Sequence, residues 1–274
     1  MNVLRIVLLI GLFAYGGAVV AMYLMQRSLL YYPENRGLTP DAVGLVGVQV
    51  VSLDTSDGER IVAWYAAPKP GLPVIIYFHG NAGEIGDRSR RFEYFAGRGF
   101  GVLFVSYRGF GGSTGEISED GLITDAVTSY DWLVERGVAP GQIALLGESL
   151  GTGVAVQLAA RKPIGAIALE APYTSIADIA AVIYWWLPVR LLMKDQFRSM
   201  DHIGAVKAPL LVTHGDADML IPVEFGKALF AVANEPKELV IVPQAGHDVV
   251  FDESTWAREL EFFGRNAMPK STVQ

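Results

Sequence analysis

Gly147-Glu148-Ser149-Leu150-Gly151 follows the apolar run at 142–146 and precedes a second run of small residues, Thr152-Gly153-Val154-Ala155-Val156. A strand that turns sharply into a helix can hold a serine at its apex, with the hydroxyl projecting above the sheet. The backbone is then so tight that glycine is favoured two residues to either side. The pentapeptide is short and arises by chance, so its setting carries the weight: a strand before it, a helix after it, an acid and a histidine further along. All of these are present.

Outward from this point strands and helices alternate. Residues 48–53 and 61–66 read as strands around the turn Asp57-Gly58, a hairpin signal. Residues 74–78 form a buried strand that ends in His79-Gly80-Asn81-Ala82-Gly83. A helix at 88–97 and a strand at 101–106 lead to the glycine-rich loop Arg108-Gly109-Phe110-Gly111-Gly112-Ser113-Thr114-Gly115. Residues 121–136 show helical spacing, with Leu122, Ala126, Tyr130 and Leu133 on one face. Strands at 142–146, 164–169, 210–213 and 239–242 then alternate with helices after Ser149, at 223–232 and at 253–263. This order predicts an α/β fold, a mostly parallel sheet with helices on both faces and ligands at the carboxyl ends of its strands. Residues 173–206, with Tyr184-Trp185-Trp186-Leu187-Pro188, break the alternation. They are too long and too apolar for a plain loop and are expected to form a short helical cap over the site. Ala82, Trp185 and Trp186 are the candidate substrate contacts, and ordinary packing on the sheet is the competing role for the two tryptophans.

Residues 6–25 carry no charge and are bounded by Arg5 and Arg27. As a helix such a stretch spans about 30 Å, one hydrocarbon core. A retained single-pass anchor is expected, with a signal peptide cleaved near Val19-Val20-Ala21 as the alternative. The short tail with Arg5 favours the N-terminus inside and the remaining chain on the non-cytoplasmic side of the membrane, the periplasm in a bacterium. The expected organisation is an anchor at 1–27, a connector at 28–45 and a catalytic domain at 46–268 with the cap at 173–206.

A hydroxyl is a poor nucleophile at neutral pH, so Ser149 needs a base within hydrogen-bond reach and an acid to orient that base. Of the four histidines, His247 alone follows the last strand and precedes the last helix, giving the order serine, acid, histidine. His214-Gly215-Asp216-Ala217-Asp218 supplies two acids after a strand. Asp218 is favoured, Asp216 is expected to bond turn backbone, and Glu170 is an outside candidate. The N–H of Leu150, at a helix start, suits a developing oxyanion, and Asn81 on the loop after residue 78 is expected to give the second donor.

Other chemistries lack their residues. With no cysteine there is no disulfide or thiolate chemistry. No G-x-G-x-x-G or G-x-x-x-x-G-K-[ST] occurs at a strand end, and the histidines lack metal spacing, so neither cofactor nor metal is expected. A net charge of −7 without a basic run gives no footing for nucleic acid.

With these motifs in place the chain resembles the α/β-hydrolase superfamily over about residues 46–265. Within it the sequence is similar to single-span, membrane-anchored serine hydrolases carrying H-G-N-A-G, Y-R-G-[FY]-G-x-S, G-x-S-x-G, H-G-x-x-D-x-x-[IV]-P and G-H. Here these motifs run from His79 to Gly83, Tyr107 to Ser113, Gly147 to Gly151, His214 to Pro222, and at Gly246-His247. The resemblance implies Ser149, Asp218 and His247 as the triad. It leaves the substrate open, since relatives include esterases, lysophospholipases, thioesterases and peptidases. Cleavage of an ester or thioester of a hydrophobic acyl group near a membrane is the leading expectation. A peptidase is the alternative, on the strength of an acidic rim of Glu148, Glu170 and Asp248, and a non-catalytic membrane scaffold is the third reading.

Overall fold

The computed structural model describes residues 3–268. It begins with a 28-residue helix, α1 (Val3–Leu30), which buries none of its residues and is long and apolar enough to cross a membrane, with a mean hydropathy of 2.2 over its most apolar window. The helix runs through Leu29 and Leu30, past the expected end of the anchor, and stops before Pro33, whose ring disfavours helical backbone at the residue preceding it. The connector is not irregular throughout. Within it a short strand, β1 (Tyr32–Pro33), pairs in parallel with β5 (Ala82–Gly83).

The main sheet has eight strands: β2 (Gln49–Asp54), β3 (Arg60–Ala66), β4 (Val74–Phe78), β6 (Gly101–Ser106), β7 (Ile143–Glu148), β8 (Ala166–Glu170), β9 (Leu210–Gly215) and β10 (Lys237–Val242). Their spatial order is β10-β9-β8-β7-β4-β6-β3-β2. Only β3 runs against its neighbours, so the sheet is parallel from β6 to β10, and the expected class is observed. The helices of the domain are α2 (Ser89–Gly97), α3 (Glu119–Glu135), α4 (Leu150–Ala159), α5 (Ile176–Ile183), α6 (Val189–Leu192), α7 (Ser199–His202), α8 (Val223–Val232) and α9 (Glu253–Asn266).

Alternation along the central strands divides the core in two. Val74, Ile76 and Phe78 of β4 pack with Leu122, Tyr130 and Leu158 from α3 and α4 on one face. Ile75 and Tyr77 point the other way, toward Phe92 and Phe95 of α2 and Trp256, Phe262 and Phe263 of α9. A strand buried on both faces reads as a continuous apolar run, which is why β4 and β6 match their sequence limits. The cap region folds as α5, α6 and α7. Phe92 is fully buried and meets Trp64 and Phe104 edge-on, with ring centroids 6.4 and 5.0 Å away. Phe92→Ala should lower unfolding stability by about 3–5 kcal/mol, read from urea melts of the detergent-solubilised protein.

Candidate active site

Ser149 sits between β7 and α4 with φ 51° and ψ −115°, a left-handed conformation that costs a side-chain-bearing residue energy. Both flanking glycines are required by contact. A Cβ at Gly147 would lie 2.6 Å from the Gly151 carbonyl oxygen, and one at Gly151 would overlap the Phe78 carbonyl. The turn is pinned from several sides: the Ser149 N–H donates to the Glu170 carbonyl (3.0 Å), and the Thr152 hydroxyl donates to the Ser149 carbonyl (2.6 Å). The Tyr173 hydroxyl donates to the Leu150 carbonyl (2.9 Å).

His247 opens a short 3₁₀ turn after β10 and reaches back across the strand ends. Its Nε2 lies 3.1 Å from the Ser149 hydroxyl and its Nδ1 2.8 Å from Asp218 Oδ2. With the Nδ1 proton donated to the carboxylate, Nε2 is left to accept from the serine. The other oxygen of Asp218 accepts the N–H groups of Leu220 and Ile221, each at 2.8 Å. Burial opposes ionisation of Asp218, but donation from His214, His247 and Ile221 outweighs it and holds the carboxyl below its usual range. His214 is fully buried and shares its Nε2 proton with the Ile221 carbonyl at 2.8 Å, while standing 3.6 Å from Asp218. Asp216 instead accepts the Gln244 N–H (2.6 Å), and Glu170 is turned away into the interior.

The N–H groups of Asn81 and Leu150 have no hydrogen-bond partner among the described residues. Both residues border the same cavity as Ser149. The Asn81 side chain donates to the Leu30 carbonyl at the end of α1 (2.7 Å), and its own carbonyl accepts the Tyr32 N–H (2.8 Å). Beneath this loop Glu148 accepts from Gly80 N–H (3.3 Å), Arg88 (2.7 Å) and the Tyr77 hydroxyl. Arg91 makes a two-pronged pair with Glu170 at 2.7 and 2.9 Å. Glu259, buried beside Glu170, is pushed well above the usual carboxyl range by burial and by that neighbouring charge. His79 is buried against Tyr107 and Phe110, and burial brings its imidazole down to about 3, so it is neutral at ordinary pH.

The cavity over Ser149 has a volume of about 340 Å³ and no charged side chain in its lining. Three expected substrate contacts do not line it. Ala82 is exposed and held in the β1–β5 pairing. Trp185 is 81% exposed, and Trp186 packs edge-on against Tyr15 of α1, 6.3 Å between rings. The chain turns after α5, which leaves Trp185 facing outward and Trp186 against α1. The expected acidic rim is absent as well: Glu148 and Glu170 are buried in ion pairs, and exposed Asp248 bonds the Gly246 N–H (3.1 Å). The supporting role of Arg88 and Arg91 was not read from the sequence. Their three-residue spacing at the start of a helix whose Phe92 and Phe95 are buried was the available signal.

A nucleophile elbow, a histidine and an acid at the carboxyl ends of a parallel sheet define a hydrolase site. Over residues 51–200 the sequence matches the family described as X-Pro dipeptidyl-peptidase (S15 family). It is 39% identical to an uncharacterised protein of Mycobacterium tuberculosis over 250 residues, 89% of this chain and 88% of that protein. Against the lysophosphatidylserine lipase ABHD12 of Danio rerio it is 34% identical over 209 residues, 69% of this chain and 53% of the lipase. The structure aligns with an esterase of Pyrococcus furiosus at a TM-score of 0.70 and 21% identity, covering 87% and 98% of the two chains. The chain belongs to the α/β-hydrolase superfamily of serine hydrolases.

The buried ions under the site give it a pH dependence. Burial alone would raise the Glu148 carboxyl, but Arg88 and Arg91 together bring it from 4.5 down to about 2. A carboxyl lowered on folding stabilises the folded chain above its unfolded value, and that contribution is lost as pH falls from about 4.5 through about 2. Glu148→Gln should therefore reduce the fall in unfolding free energy between pH 6 and pH 2 by roughly 3 kcal/mol, measured by denaturant titration at each pH.

Proposed function

We propose that this chain is a membrane-anchored serine hydrolase that cleaves carboxylic ester or thioester bonds of hydrophobic acyl substrates through an acyl-enzyme. The observation that carries the reading is the hydrogen-bonded series Ser149–His247–Asp218 opening onto an uncharged, largely apolar cavity. Ser149 Oγ attacks the carbonyl while His247 Nε2 takes its proton, and Asp218 stabilises the imidazolium. Charge on the carbonyl oxygen is met by the N–H groups of Asn81 and Leu150, the latter at the N-terminus of α4. The imidazolium then protonates the departing alcohol or thiol, and a water repeats the sequence to free the acid and Ser149. The name of the Danio rerio relative supports an acyl lipid as the substrate class.

In this reading α1 is retained as a single-pass anchor, residues up to 45 connect it to the catalytic domain at 46–268, and the segment 173–206 caps the site. The domain lies on the non-cytoplasmic side, as the placement of Arg5 favours. Peptide cleavage is the second reading, favoured by the S15 family match.

Ser149→Ala should abolish labelling by a fluorophosphonate probe and hydrolysis of p-nitrophenyl esters by the full-length protein in detergent. A panel of esters, acyl-thioesters and aminoacyl amides separates the readings: faster turnover of amides than of esters would overturn the ester assignment. Asp218→Asn should keep the fold and lower kcat by roughly 10⁴-fold, because the amide favours the wrong imidazole tautomer. Asp216→Asn should be far milder, and a reversal of the two phenotypes would misplace the acid.

A further inference from the structure

The cavity over Ser149 is not enclosed by the catalytic domain alone. Val19, Met22, Tyr23, Gln26, Leu29 and Leu30 of α1 form part of its wall. Their spacing puts them on one face of the helix, and at 1.5 Å per residue they run along about 16 Å of its axis. Facing them are Ile176, Ile179 and Ile183 of α5, with Leu187, Leu192 and Met193 beyond. Asn81, Ser149 and Leu150 lie in the lining together with Leu30, whose carbonyl holds the Asn81 side chain. From there the wall climbs α1 to Val19, inside the charge-free stretch at 6–25.

This part of α1 is fixed to the cap. Arg27 pairs with buried Asp195 through two bonds of 2.8 and 3.1 Å, and the Lys194 N–H donates to Gln26 Oε1 (2.7 Å). The Lys194 ammonium stands over the Tyr23 ring, 4.7 Å from its centre. The Gln26 amide is thereby occupied by backbone groups. Leu24, by contrast, is 73% exposed and lies outside the lining. The cap's outer surface continues this apolar exposure through Val182, Trp185 and Leu191, so the distal end of the cavity stands beside groups suited to hydrocarbon.

We infer that the anchor helix is one wall of the acyl site: the substrate is a bilayer-resident amphiphile whose acyl chain lies along α1, between it and the cap, with its carbonyl at Ser149. The inference rests on the hydrolase reading above and assigns Val19 and Met22 as residues that set chain length. A chain seated there leaves the leaflet sideways, past the helix, without its tail crossing water.

The test uses full-length protein in phosphatidylcholine vesicles, with p-nitrophenyl acetate and dodecanoate as substrates. Met22→Trp should lower the dodecanoate-to-acetate ratio of kcat/KM at least tenfold, while Leu24→Trp, on the outer face of the same helix, keeps the wild-type ratio. Met22→Ala, which removes bulk and avoids crowding, should move the preferred chain length upward across a C2–C16 series. Equal ratios in Met22→Trp and Leu24→Trp, with acetate hydrolysis still dependent on Ser149, would overturn the wall and leave the hydrolase standing. Acetate hydrolysis that survives Ser149→Ala would overturn both.

Discussion

The reversal of the backbone at Ser149 is the constraint around which the rest of the domain is arranged. A residue with a side chain at φ 51° is strained by on the order of 1–3 kcal/mol, and it persists only where its surroundings leave no alternative. Here the surroundings are the two innermost strands and the most deeply buried helix. Gly151 lies against the Phe78 carbonyl, and every residue of α4 is buried, so the turn cannot relax without opening β4, β7 and α4 together. The same tightness aims the Leu150 N–H and the serine hydroxyl into one cavity. Strain and chemistry share one cause.

Below the turn lies a second layer of determination. Glu148 and Glu170 stand opposite one another on neighbouring strands; Arg91 of α2 reaches both, and Arg88, just before that helix, pairs with Glu148. Breaking a buried pair of this kind leaves an uncompensated charge and costs about 3–5 kcal/mol. Because Glu148 also accepts the Gly80 N–H, the ion pairs fix the loop that carries Asn81. The geometry of the site is therefore set from beneath by charge and from above by the end of α1.

Much of this was legible in the chain. Strands β4 and β6 have the limits their apolar runs suggest, because full burial leaves few other arrangements, and α8 has its expected limits too, starting directly after Pro222. Strand β9 runs on to Gly215, past its apolar residues, since His214 is buried and hydrogen-bonded in place. The juxtaposition of Ser149, His247 and Asp218 follows from chain order, as each lies in the turn after a parallel strand. What was not legible depends on partners distant in sequence. Glu148 and Glu170 look like free acids until α2 and the turn before it deliver Arg91 and Arg88. Trp185 and Trp186 are apolar enough for either a cavity or a bilayer, and composition does not choose between them. The cavity-facing stripe of α1 is hidden because the helix is apolar all round.

The bidentate contact between Arg27 and Asp195 joins groups separated by 168 positions, and this sets an order of events during synthesis. Helix α1 leaves the ribosome well before the cap, yet its guanidinium has no acid to meet until the cap has been made. At about 5–20 residues per second that interval is on the order of ten to thirty seconds. Until then Arg27 must rest in water. The strand Tyr32–Pro33, by contrast, finds its partner Ala82–Gly83 much sooner. The loop that carries Asn81 can thus be seated on α1 early, and the clasp that closes the far side comes late, after most of the sheet exists. Helix α1 is then both made before the sheet it serves and among the last parts to be finished.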